Sequence, residues 1–419
     1  MLEIFDYVLH YEPPSAARYT LLQLISTSRG LYGILSPIFW KSLNIDLSKA
    51  SHRKGIRSIL DSSSSDRRGV ISRSIESIQL SGLKDNKTVS ISQIPRFYGS
   101  ICSHLRQLLL HLPSSVRINL TSLRSLPFLL RVTLIDTSNP PSFPLEPVTR
   151  ILSQITALTS MHLIGFTTDP ASLPSDYIDC DVPSLKNSGR LQSLRELKLE
   201  KLGDLEGSDG SSIAKKLCGS QIQVLSIKLS PRFVSGARQN GRVVFHYLTR
   251  AASTLQTLYV DYSQLTVVRY NDGNDPDFGL YDALLDRSLP QLQQIDIKFG
   301  KADGLLYLFD YLLKLASSLH DSISKGMLPN LEKIGLNFEG ALKQVRTQTL
   351  DQLVALQPDV YGSDSDVQGA LKKVLVSADL DGRRQKADGI LRSPFLKLGR
   401  SLVEVAEPEI GWIKMEMKI

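Results

Sequence analysis

The chain has 419 residues, of which 42% are hydrophobic and 22% charged. That length exceeds one ordinary globular domain, and the composition sustains a continuous core and excludes a disordered chain. Forty-nine Lys and Arg against 42 Asp and Glu leave a net charge of +7, too mild and too dispersed to define an acidic partner.

In chain order, residues 1–47 read as a helical segment. Residues 2–8, Leu-Glu-Ile-Phe-Asp-Tyr-Val, predict a first helix. Leu21, Leu22, Leu24, Ile25 and Ser26 mark a second, and Ser28, Arg29, Leu31, Ile34 and Leu35 a third. Pro37, Ile38, Phe39, Trp40, Lys41, Ser42 and Leu43 follow, where a tryptophan precedes an expected short strand. This order of helices ending in Trp resembles the F-box. In that family the helices dock on a small adaptor that bridges to a cullin scaffold and a RING subunit. The resemblance therefore implies that Phe5, Leu21, Leu24, Ile38 and Trp40 belong to the bundle or its adaptor-docking surface. The family's opening Leu-Pro-x-Glu is absent, so the chain starts inside the first helix and the F-box is expected to be clipped. Without the resemblance, the same helices would serve as a cap on the open end of a repeat array.

Residues 48–73 form a basic, Ser-rich linker carrying Lys49, Arg53, Lys54, Arg57, Arg67, Arg68 and Arg73. No aromatic residue interleaves them, so a base-stacking platform is not indicated and nucleic acid is not the expected partner.

Residues 74–340 repeat one frame, Leu-Pro-x-Leu-x-x-(Val/Ile)-x-(Leu/Ile). It starts at Leu126-Pro127, Leu289-Pro290 and Leu328-Pro329, and a proline-free copy holds Leu191, Leu194, Leu197 and Leu199. Looser copies fall at Ile75/Ile78/Leu80, Leu105/Leu108/Leu110, Ile155/Leu158/Met161/Leu163, Ile222/Leu225/Ile227 and Leu255/Leu258/Val260. At 42% apolar residues, about a dozen accidental matches to four chosen positions are expected, so single copies prove nothing. The recurrence of Leu-Pro and the spacing of about 24 to 39 residues carry the reading. This phrase resembles leucine-rich repeats, and with the N-terminal segment the chain resembles fungal-type F-box proteins with degenerate repeats. The expected fold is α/β: an irregular solenoid with parallel strands on a concave face and helices on the convex one. Helices are expected over 148–158, 213–217, 243–252, 280–289 and 305–319, where apolar residues recur every three to four positions. The family's Asn, three residues after the last strand leucine, is replaced by Thr137, Leu202, Gly300 and Glu339, so uneven coils are expected. Residues 137–147 and 167–190 read as projecting loops.

Alternation places the residues between strand leucines outward. Ser226, Tyr259, Asp296 and Gly335 should then form one row and Lys228, Asp261, Lys298 and Asn337 another. Of these, Ser226, Lys228, Tyr259, Asp261, Asp296 and Lys298 are the expected partner-binding residues. Residues 341–419 lose the frame and are expected to extend or cap the array.

No residues assemble for catalysis. Cys102, Cys180 and Cys218 lie far apart without CxxC, and none of the seven histidines sits in HExxH. Asp179 and Asp181 beside Cys180 would raise its thiol pKa, the wrong direction for a nucleophile. No phosphate-binding glycine loop or nucleophile elbow is present. The acidic stretch at Asp272, Asp275 and Asp277 lacks the spacing of a calcium loop. No export signal or membrane helix is legible, so a cytoplasmic or nuclear location is expected. The sequence thus points to a protein without catalytic residues, cofactor or metal, whose partner is a protein client. Two roles stand side by side: substrate-recognition subunit of a cullin-RING (SCF-type) ubiquitin ligase, or free-standing repeat scaffold.

Overall fold

The computed structural model describes residues 14–27, 29–52, 74–82, 104–112, 126–137, 152–166, 193–200, 221–228, 247–263, 287–299, 305–338, 401–407 and 412–418. It also describes the single positions 54, 123, 148, 280 and 284. The chain divides into two compact units, Met1–Phe166 with Pro170–Ser193 and Thr167–Asp169 with Leu194–Ile419.

Unit 1 opens with helices α1 (Pro14–Thr27) and α2 (Arg29–Trp40). Leu21 and Leu35 are buried between them, with Leu24, Leu31 and Phe39 packed around that pair. Five strands follow, β1 (Ser42–Asp46), β2 (Ser77–Ser81), β3 (Gln107–Leu112), β4 (Arg131–Asp136) and β5 (Ser160–Ile164). They pair in parallel in chain order. The alternate residues Leu43/Ile45, Ile78/Leu80, Leu108/Leu110, Val132/Leu134 and Met161/Leu163 are buried, as are Ile75, Leu105, Leu129 and Leu158 ahead of β2–β5. The period-two pattern sends one face of every strand inward, and each coil covers the apolar flank of the next.

Two features of unit 1 correct the sequence reading. Ile38, Phe39 and Trp40 form the last turn of α2 and do not lead into a strand that closes a helical bundle. The strand after them is the first of the parallel ladder, pairing Leu43 with Ile78 and Ile45 with Leu80. Trp40, Leu43 and Ile45 have the frame's own spacing, with Trp in the place of the second leucine. The expected segment 1–47 therefore contains the first repeat strand.

Unit 2 carries β6 (Glu196–Glu200), β7 (Val224–Lys228), β8 (Thr257–Tyr262), β9 (Gln294–Phe299) and β10 (Lys333–Asn337). These too are parallel in chain order. The frame residues Leu194, Ile222, Leu255, Leu292 and Leu331 are buried beneath them. Helix α3 (Leu305–Ser324) precedes β10 and buries Leu308, Leu312, Leu315 and Leu319 at three-to-four spacing. It runs one turn past the expected end and stops in a Schellman motif. Gly326 adopts φ of 69°, its N–H reaches the Ile323 carbonyl, and the Met327 N–H reaches that of Ser322. Of the other expected helices, residues 247–251 are helical. Val148 and Leu152 are helical and buried, but 153–158 form turns; Leu280 and Leu284 are helical and buried, but 287–289 are not helical. These two helices therefore end earlier than expected. The stretch 213–217 lies outside the described residues. An antiparallel pair, β11 (Ser401–Glu407) and β12 (Trp412–Lys418), completes the unit, with β12 alongside β10.

A backbone device sets the register in both units. Ahead of a strand, one carbonyl accepts hydrogen bonds from two successive N–H groups of the next coil. Lys41 serves Glu76 and Ser77, Glu76 serves Arg106 and Gln107, and Arg106 serves Leu130 and Arg131. In unit 2, Arg195, Gln223, Gln256 and Gln293 each do the same for the coil that follows. The turn leaves no donor unmet, so side chains with no common chemistry are tolerated there. These parallel strands, with their shared leucine frame, make the fold a leucine-rich-repeat-type coil array. Among the described residues no helix is long and apolar enough to cross a membrane.

Candidate functional site

On unit 2 the backbone register lines up the residues between the buried leucines. Lys198, Ser226, Tyr259, Asp296 and Gly335 stand directly opposite one another across β6–β10. Glu200, Lys228, Asp261, Lys298 and Asn337 form the adjoining row. Parallel neighbours lie about 4.8 Å apart, so the expected rows exist as placed.

Charge alternates along the second row, Glu200, Lys228, Asp261, Lys298. The Lys228 ammonium lies 3.6 Å from Glu200 and 4.0 Å from Asp261. Lys198 reaches Glu196 at 2.8 Å within its own strand. One expectation needs correcting here. Asp261 was placed on the exposed row, yet it is 4% exposed. Its carboxylate turns back to accept the Ser263 backbone N–H at 2.7 Å, and Lys228 covers it. Asp261 therefore shapes the surface from beneath and positions Lys228.

Tyr259 is half-buried at the centre of the array. Its hydroxyl pKa is pushed up to about 12, first by burial and then by Asp261, Asp296 and Glu200. It stays a neutral phenol throughout the physiological range and sits in a negative local field. Beside it, the Gln294 side-chain amide donates to Asp296 Oδ2. Asp296 Oδ1 lies over Gly335, where a Cβ on that residue would collide with it. Glycine at 335 is thus required by the lie of a neighbouring carboxylate, since its φ is not in the left-handed region.

A second element of unit 2 escaped the sequence reading. Tyr262, Phe299 and Phe338 each follow the last strand apolar residue by two positions and are fully buried. Tyr262 and Phe299 stack at 5.8 Å, Phe299 and Phe338 at 5.2 Å, and Tyr311 of α3 meets Phe299 edge-on at 6.2 Å. This aromatic ladder holds adjacent coils together in an array that lacks the family's asparagines. In unit 1 that tie is polar: the Thr137 backbone N–H donates to the Leu112 carbonyl at 2.9 Å, and its hydroxyl approaches the same oxygen at 3.3 Å.

The residues assigned to adaptor docking separate. Leu21 is buried against Leu35 and Leu24 packs beside them, so both belong to the two-helix core and Leu21 offers no docking surface. Trp40 is half-buried, edge-on to Phe39 at 4.9 Å, and Ile38 is exposed. Phe5 lies outside the described residues, as do Cys102, Cys180, Cys218 and the acidic stretch after Asn271. Asp46, Ser48 and His52 meet at the end of β1, but as a turn. The Asp46 carboxylate accepts from the Ser48 hydroxyl and backbone N–H, which hold its pKa down, and its own N–H donates to His52 Nδ1. The Ser48 hydroxyl donates to the carboxylate, so these three do not form a nucleophile–base pair. Among the described residues no group of three His, Cys, Asp or Glu is placed to hold a metal ion.

No protein-family model matches the chain, and no curated protein matches it. Among solved structures it is similar to the leucine-rich repeat-containing protein LegL7 from Legionella pneumophila, with 12% identity over 86% of this chain and 96% of that one and a TM-score of 0.35.

Proposed function

We propose that this chain is a protein-binding repeat module that engages its client through the open face of β6–β10 and catalyses nothing itself. The observation that carries the reading is the register of that face, which gathers a half-buried tyrosine and flanking charges into two rows on a stiff sheet. Amphipathic aromatics supply binding energy at low entropic cost, and surrounding charges select the partner. The test is the double substitution Tyr259→Ala with Lys298→Glu, followed by affinity capture from the native cell. Loss of the recovered partners with unchanged circular dichroism is expected. Recovery of the same partners would move recognition to another surface.

A finer reading makes the chain the substrate-recognition subunit of a cullin-RING ligase in the cytoplasm or nucleus. It is supported by the F-box resemblance and by Tyr19, Leu22, Ile34 and Ile38, four large apolar side chains left exposed on the single helix pair α1–α2. Single exposed apolar residues are ordinary, whereas several on one small element favour a partner there. Under this reading adaptor and cullin co-purify with the chain, and Leu22→Asp with Ile34→Asp removes them while clients remain. Clients recovered without adaptor would favour the free-standing scaffold.

A further inference from the structure

We infer that the strip between Tyr259 and Asp296 receives a cationic side chain, arginine above all, projecting from the protein partner. This deepens the proposed function and rests on it.

The carboxylates on the open face of unit 2 are unevenly paired. Glu200 and Asp261 share Lys228, and Glu196 has Lys198. Asp296 differs. Its cross-strand neighbours are Tyr259 and Gly335, neither of them cationic. Among the described residues it has no ion pair, and its hydrogen bond comes from the neutral amide of Gln294, on Oδ2 alone. Oδ1 lies over Gly335 on β10, and the Asp296 side chain is part-exposed. Among the described residues this face thus leaves Asp296 as the one carboxylate, part-exposed, without an ion pair.

On the other flank of Asp296, across from β9, stands the Tyr259 ring in a negative field. Burial and three carboxylates hold the Tyr259 hydroxyl protonated, so its ring stays a neutral π-surface. A cation placed over it gains both ring and carboxylate, and desolvation by the partner strengthens both. Arginine fits best, because its planar guanidinium can lie on the ring while an edge N–H reaches the Asp296 carboxylate. A metal ion fits poorly, since one carboxylate and a phenol fall short of the six to eight oxygens calcium takes. An acidic partner segment would meet like charge.

The experiment selects a random peptide library displayed on phage against the full chain, then measures chosen peptides by titration. Enrichment of arginine over the starting library is expected. Replacing the enriched arginine by citrulline, which keeps the shape and removes the charge, should weaken binding about tenfold or more. Asp296→Asn should do the same to the arginine peptide and leave the citrulline peptide unchanged, whereas Tyr259→Phe should keep affinity. Circular dichroism of each variant checks the fold. No enrichment of arginine or lysine overturns the inference. Peptides that lose affinity with Tyr259→Ala but tolerate Asp296→Asn and lack a cation overturn it while leaving the face as the binding surface. Peptides indifferent to both substitutions overturn the binding face as well.

Discussion

The two five-stranded ladders share one backbone plan and differ in what they put on the open face. Unit 1 presents Asn44, Gln79, Leu109, Thr133 and His162 in the row that unit 2 fills with Lys198, Ser226, Tyr259, Asp296 and Gly335. In the next row unit 1 has Asp46, Ser81, His111, Ile135 and Ile164, against Glu200, Lys228, Asp261, Lys298 and Asn337 in unit 2. The first face is nearly uncharged and partly aliphatic, and the second is a charge mosaic around an aromatic centre. The inward faces are interchangeable, because the ladder demands apolar residues there. The outward faces are free of that demand, so their divergence is where function can be written.

The strongest effect should come from the aromatic ladder, which among the described residues stands in unit 2. Phe299→Ala removes a ring stacked on both Tyr262 and Phe338, and should cost about 3–5 kcal/mol in urea unfolding. Leu134→Ala, at a buried strand position of unit 1, should cost about 2–5 kcal/mol. A cost below 1 kcal/mol for Phe299→Ala would mean that the ladder fills space without tying coils together.

Gly165→Ala tests a backbone demand at the end of β5. Gly165 has φ of 82°, and a Cβ there would meet the Asp136 carbonyl oxygen at 2.9 Å. A cost of at least about 1–2 kcal/mol is expected from the left-handed conformation alone. Gly335→Ala in unit 2 has no such backbone strain and should instead displace the Asp296 carboxylate, read as lost affinity for arginine peptides.

Smaller again is Lys228→Ala, which uncovers Asp261. Its effect on stability should be about 1 kcal/mol, falling as salt is raised. The corresponding ladder position in unit 1 has no ion pair to lose.

The smallest effect belongs to His111. Burial lowers its pKa from the ordinary 6.5, so the folded state holds fewer protons than the unfolded chain just below that value. The resulting stability is fully present above about pH 6.5 and declines as pH falls through 6.5 toward the folded-state pKa. His111→Gln should flatten that shallow slope in a pH series of urea midpoints. An unchanged slope would assign it to other groups.

Much of the ladder was legible in the sequence because burial enforces it. Every leucine frame singled out, from Ile75/Ile78/Leu80 to Leu331/Ile334/Leu336, lies at a buried strand. The short strand expected after Trp40 is β1; its place in the ladder was not legible, because Trp40 stands where the frame expects a leucine and ends a helix. The aromatic ladder is written in Val-Asp-Tyr, Ile-Lys-Phe and Leu-Asn-Phe, but these triplets share only an apolar first residue and a final ring, a pattern too short to mark a contact between coils. Row membership followed from strand alternation alone. The burial of Asp261 did not, because it depends on a Ser263 N–H and on a lysine from the neighbouring strand. The lie of Asp296 over Gly335 is likewise a cross-strand fact with no local signature.

The most direct measurement compares the two open faces in the native cell. A photo-crosslinking phenylalanine derivative, which keeps a ring at position 259, is placed there in one version of the full chain and at position 109 in another. These are matched row positions on the charged and the neutral ladder. The account predicts a discrete crosslinked protein partner from position 259 that disappears on adding Asp296→Asn, with no such product from position 109. A partner captured from position 109 and absent at 259 would contradict it.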